Sequence, residues 1–89
     1  MKQEIIKQND HIRAYDFKPC LGRGDCFIEG KVVSLNKPEN DYYYYLVECT
    51  RDICDDLEVV RYTRVGELIK VPMKTSNDYP GRVINLTRI

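Results

Sequence analysis

"CFIEGKVVSL" occupies residues 26–35, and its reading decides the fold. Phe27, Ile28, Val32 and Val33 are aromatic or β-branched, the types that suit a pleated surface, and no helical period runs through them. Gly30 stands in the middle. A lone glycine inside a strand marks a bulge or a sharp bend, the device that curls a small sheet toward closure. The stretch predicts a bent strand in a small, strongly curved sheet.

Strands are expected on both sides of it. "HIRAYDF" (11–17) reads as one, and "KPCLGRGD" (18–25), with Pro19, Gly22 and Gly24, reads as the loop that follows. "NKPEND" (36–41) is a turn, "YYYYLVECT" (42–50) a strand, and the acidic "RDICDDLE" (51–58) a solvated turn. "VVRYTRVGELIKVPM" (59–73) is long enough for two short strands, or for one bent at Gly66. "KTSNDYPG" (74–81) is a loop, and "RVINLTRI" (82–89) a last strand. Residues 1–8 and "CDDLEVV" (54–60) offer a single helical turn each, and nothing longer keeps a helical period. Five or six short antiparallel strands in 89 residues predict an all-β, SH3-like small barrel, one domain over residues 1–89. An OB-fold would need a helix between its third and fourth strands, and the sequence shows none.

A resemblance accompanies this reading. "HIRAYDF" and "FIEGKVVSL" resemble the first two strands of SH3-like small barrels. Through "HIRAYDF", "GRGDCFIEGKVV", "TRDI" and "VPM…GRV" the chain also resembles short uncharacterised proteins of tailed phages. The resemblance implies a small accessory or regulatory protein and supplies no catalytic residue.

Composition agrees with a globular domain: 43% hydrophobic and 31% charged residues, with Lys plus Arg equal to Asp plus Glu at 14 each. Disorder would need fewer apolar residues and a larger net charge. The charge balance removes any overall field toward nucleic acid or an anionic membrane. It holds locally too, since residues 1–50 carry seven basic and eight acidic side chains and residues 51–89 seven and six. No apolar run has signal-peptide or membrane-span length, so the expectation is a cytoplasmic protein with reduced thiols and no membrane partner.

Alternation within "YYYYLVECT" places Tyr43, Tyr45, Val47 and Cys49 on one face and Tyr42, Tyr44, Leu46 and Glu48 on the other. The first set continues into apolar positions and is the expected core face. Tyr42 and Tyr44 then lie outside. They either cover cross-strand neighbours or form a contact platform, because tyrosine offers a large rigid surface and is enriched at interfaces. With Arg51, Arg61 and Arg64 they make up the expected binding residues, and Lys31 is a further basic neighbour. A protein partner is the first expectation. A barrel stacking single-stranded nucleic acid on the tyrosines is the alternative, and it requires a continuous basic track. A metal-structured domain or small metal-dependent enzyme is a third.

No motif fixes a chemistry. Cys20-x5-Cys26 and Cys49-x4-Cys54 do not make the tight knuckles of zinc sites, and thiols behaving as small hydrophobes are the simpler reading. Nothing pairs the single histidine, His11, with Cys20 or Ser34 as a base with its nucleophile. The carboxylates Asp52, Asp55, Asp56 and Glu58 lack the ligand order of a calcium loop. "GRGD" (22–25) is composed of ordinary turn residues, and no helix follows it to receive a pyrophosphate. The expectation is therefore a binding protein with no cofactor, no metal and no catalytic residue.

Overall fold

The computed structural model describes residues 5–36, 43–76 and 78–88. They form an all-β structure built on one antiparallel sheet of six strands. The strands are β1 (His11–Tyr15), β2 (Phe27–Asn36), β3 (Tyr44–Cys54), β4 (Leu57–Glu58), β5 (Leu68–Pro72) and β6 (Val83–Asn85). A short 3-10 turn, Leu86–Arg88, follows β6. The pairing order is β4-β3-β2-β1-β6. Strand β5 lies along the first half of β3, while β4 lies along its last two residues.

The bend expected at Gly30 is present. Between Glu29↔Arg51 and Gly30↔Cys49 the β2–β3 register slips, leaving Thr50 as the extra residue of a bulge. A second slip leaves Val33 unpaired between Val32↔Val47 and Ser34↔Leu46. A side chain at Gly30 would press into the carbonyl oxygen of Glu48 and stand 2.7 Å from Val47 Cγ1. Only glycine lets the two backbones approach this closely. The Thr50 bulge also reverses which residues of β3 face inward. Tyr45, Val47 and Cys49 point to the core before it, and Asp52 does so after it.

Ile12 and Ala14 of β1, Ile28 and Val32 of β2, Val47 and Cys49 of β3 and Val71 of β5 form that core, with Ile6, Tyr45, Ile69 and Val83 packed around it. Strands β1 and β5 are thus folded over the same core although neither pairs with the other. The sheet curls, but it does not close into the expected barrel. At the seam between β1 and β5 there is an open cleft lined by Ala14, Tyr15 and Asp16 on one side and Ile69–Pro72 on the other. Side chains span it where a closed barrel would have ladder bonds: buried Arg82 reaches from the start of β6 to the Pro72 carbonyl at 2.7 Å.

Several segment readings are corrected. Strand β3 runs through Arg51–Cys54 instead of ending at Thr50. "CDDLEVV" is no helical turn: Asp55 and Asp56, with φ of 55° and 63°, make a two-residue hairpin joining Cys54↔Leu57. Two successive positive φ values give the primed turn whose twist matches that of its strands. Residues 59–67 are a loop, and only 68–72 of the long "VVRYTRVGELIKVPM" stretch pair as a strand. Tyr43 is not a core residue. It precedes the first paired residue of β3 and is 54% exposed.

Candidate functional site

The loop between β4 and β5 is fastened by one buried carboxylate. Asp52 faces inward because of the Thr50 bulge, and its side chain accepts the Arg64 backbone N–H at 2.9 Å and the Arg64 guanidinium at 2.7 and 3.1 Å. Its carbonyl accepts Val59 N–H at 2.9 Å. The other two guanidinium bonds of Arg64, 2.8 and 2.9 Å, go to both oxygens of Asp16 beyond the end of β1. Charge-assisted, two-pronged bonds of this kind are the stronger class. Hydrogen bonding from Arg64 holds the Asp52 carboxyl below the usual carboxylate range, against the opposing effect of its burial. Asp16 first and Asp52 second stabilise the charged guanidinium.

The loop's far end is tied to the strand as well. Gly66 N–H donates to the Cys49 carbonyl and Cys49 N–H to the Glu67 carbonyl, at 2.8 and 2.9 Å. Between these anchors the chain projects outward. Val60 is 85% and Tyr62 93% exposed, flanked by exposed Leu57, Val65 and Leu68. Tyr62 has φ of 56°, a left-handed conformation that costs a bulky L-residue about 1–2 kcal/mol. Its ring has the Arg61 guanidinium 5.8 Å from its centre. An almost fully exposed aromatic side chain on a strained backbone position therefore crowns a loop held firmly at both ends.

The expected binding residues are divided by this geometry. Tyr42 lies outside the described residues. Tyr44 is half-buried on the outer sheet face, with the Lys70 ammonium of β5 over its ring at 5.0 Å. Register sets Leu46, Lys70 and Leu68 beside it on that face, so the outer face leads along β5 to the loop. Arg61 is on the loop tip, whereas Arg64 is its fastening. Arg51 lies elsewhere on the outer face. There Arg13, Glu29, Arg51 and Glu58 run as alternating charges across β1, β2, β3 and β4, with contacts of 2.7, 3.6 and 3.0 Å. Arg13 also covers the Phe27 ring at 4.5 Å, and Tyr15 packs edge-on against Phe27. Lys31 stands opposite Glu48. The sequence reading singled out Arg61 and Arg64 for their charge but missed Tyr62 and Val60. Tyr62 is the only aromatic residue between β4 and β5, and that was the one available signal.

Other chemistry-bearing residues have structural partners. His11 Nε2 meets the Thr50 hydroxyl at 3.3 Å. Asp55 and Asp56 accept the backbone N–H groups of Gly24 and Asp25 at 3.1 and 2.9 Å, so the carboxylates clamp the "GRGD" loop to the hairpin turn. Cys49 is a core residue, and burial pushes its thiol pKa up. Cys26 and Cys54, one from each sequence pair, stand with their sulfurs 3.2 Å apart. The hydrogen bond to Cys26 pushes the Cys54 thiol pKa up, as do the nearby negative charges. Among the described residues no three His, Cys, Asp or Glu side chains gather as a metal site. In the seam cleft Arg64 and Arg82 are already bound, the latter to Asp78 at 2.5 Å and to Pro72. No helix among the described residues is long and apolar enough to cross a membrane.

Compared with known protein families, curated proteins and solved structures, the chain matches none.

Proposed function

We propose that the protein is a non-catalytic interaction module that holds a protein partner with the β4–β5 loop and the adjoining outer face of β3 and β5. One observation carries this reading: Tyr62, almost fully exposed, is held in a left-handed backbone conformation on a loop anchored at both ends. Backbone strain persists only where the surroundings impose it, and it concentrates at ligand clamps and other functional positions. A tyrosine on a rigid loop gives a partner a large contact area with little entropy left to lose. Val60 and Leu68 supply apolar surface around it, and Tyr44 with Lys70 extends the surface along the sheet.

A nucleic-acid partner would need cations aligned as a track. Here Arg13 and Arg51 are interleaved with Glu29 and Glu58, and Arg64 is bound to two aspartates. This favours a protein partner. The curled sheet is read as an SH3-like architecture whose seam stays open, with the partner surface on the outer side of the sheet.

Affinity capture from the native host, followed by titration of the purified partner, tests the proposal. Tyr62→Ala is expected to weaken binding by roughly tenfold or more, and Tyr44→Ala by roughly fivefold, the range of interface tyrosines. Lys18→Ala, outside the proposed contact residues, serves as the control and is expected to bind as the parent does. Binding indifferent to Tyr62, or a captured partner that proves to be nucleic acid with salt-sensitive affinity, would overturn it.

A further inference from the structure

We propose that Cys26 and Cys54 form a redox-active dithiol that reacts with low-molecular-weight disulfides of the glutathione class and closes into an intramolecular bond. The β2–β3 ladder ends at Phe27↔Ile53, and the next antiparallel rung sets residue 26 opposite residue 54. Residues facing each other across such a ladder have Cα atoms about 4.5–5.5 Å apart, inside the range of about 4.4–6.8 Å that a disulfide spans. The two sulfurs are already 3.2 Å apart. At that backbone spacing the bonded separation of about 2.05 Å lies within reach of side-chain rotation. Cys54 is exposed and Cys26 partly so, which gives the small disulfide access. Neither of the other two thiols has this placement, since Cys49 is sealed in the core and Cys20 lies on the exposed loop.

The exchange conserves atoms and electrons. The thiolate of one cysteine attacks a sulfur of oxidised glutathione, whose S–S bond breaks and releases one glutathione thiol. The second cysteine, giving its proton to water, then attacks the protein-side sulfur of the mixed disulfide and expels the second glutathione thiol. The protein loses two protons and two electrons, and the glutathione disulfide gains both.

The bond would fall beside an existing clamp. Asp55 and Asp56 already hold Gly24 and Asp25 by hydrogen bonds, and oxidation would make that attachment covalent. The reaction thus fastens the "GRGD" loop to the β3–β4 turn, which leads through β4 into the proposed partner loop.

The test uses the full reduced chain, equilibrated in buffers of stepped oxidised-to-reduced glutathione ratio, quenched by alkylation and mapped by mass spectrometry. The folded protein should lose two hydrogens and yield a single Cys26–Cys54 cross-linked peptide. In strong denaturant the same buffers should give mixed pairings. Cys20→Ser should form the same bond, whereas Cys26→Ser should carry glutathione on Cys54 instead. The oxidised form should unfold at a higher urea concentration than the reduced form. Glutathione adducts without an intramolecular bond in the folded chain would overturn the proposal. So would a Cys20–Cys26 linkage, or a Cys26–Cys54 bond forming equally well in denaturant.

Discussion

Among single residues, the tyrosines that follow one another in sequence have distinct roles because a strand begins between them. Tyr45 packs on the core, where burial pushes its phenol pKa up. Tyr45→Ala should cost about 2 kcal/mol, below the ~3–5 of a fully enclosed aromatic because its ring is only half-buried. Tyr43→Ala should cost under about 1 kcal/mol, as the change leaves intact the backbone carbonyl that accepts Met73 N–H. Urea melts of the two variants check the difference, and equal losses would mean that Tyr43 is packed as tightly as Tyr45. Alternation correctly assigned Tyr45, Val47 and Cys49 to one face. It could not show where pairing starts, so Tyr43 was misplaced with them. Tyr62 calls for the opposite experiment. Glycine at that position should stabilise the fold by about 0.5–1 kcal/mol, because it accepts the left-handed backbone without strain. The same variant should lose the partner. A Tyr62→Gly protein that melts earlier than the parent would show that the ring contributes to stability.

Among the strands and turns, strands were legible where apolar residues recur between turn signals, as in β1 and β2. The bulge at Gly30 was legible too, because a glycine amid such residues leaves a strand free to bend there and nothing to pack. The hairpin at Asp55–Asp56 was hidden because it lacks the Asn-Gly signature of a primed turn, and its carboxylates looked like solvated charge. They are acceptors for the facing loop. Asp55→Asn should therefore be neutral or stabilising by up to about 0.5 kcal/mol, since asparagine keeps the Oδ1 acceptor and tolerates a positive φ. Asp55→Ala should lose about 1–2 kcal/mol, leaving Gly24 N–H without that acceptor and the strained backbone unrelieved. A thermal melt separates the pair, and equal stability would deny the clamp any weight. The 59–67 loop misled for a different reason. Its Val, Tyr and Thr residues favour strands, but Asp52 and Cys49 take up backbone groups at its two ends, so tertiary bonds override propensity.

Across the molecule, the Asp16–Arg64–Asp52 group joins the end of β1, the inner face of β3 and the β4–β5 loop. It also sets how the fold responds to acid. The Asp52 carboxyl is held below its ordinary value near 3.8 by Arg64. As pH falls, the unfolded chain takes up that proton before the folded one does. Stability from this group is complete well above pH 3.8, and it is lost as pH drops through that value toward the lower folded one. Asp78, held low by Arg82, adds a loss of the same sign. Urea midpoints measured from pH 7 to 2 should fall steeply below about pH 4. Asp52→Asn should flatten that fall while lowering stability at pH 7 by about 2 kcal/mol, the scale of a hydrogen bond to a charged group. An unchanged acid limb in the variant would remove Asp52 from this role.

The pairing of β6 with β1 has a consequence in time. Ile12 lies opposite Asn85, so one edge of β1 waits for a strand made more than seventy residues later. At about 5–20 residues per second, synthesis keeps that edge open for roughly 4–15 s. During the wait the nascent sheet can add a foreign strand where β6 belongs. A five-residue length and an outward arginine at its centre make β1 a poor template for such an addition. The rest of the sheet must stand unfinished on the ribosome, and the last strand decides when the core is sealed.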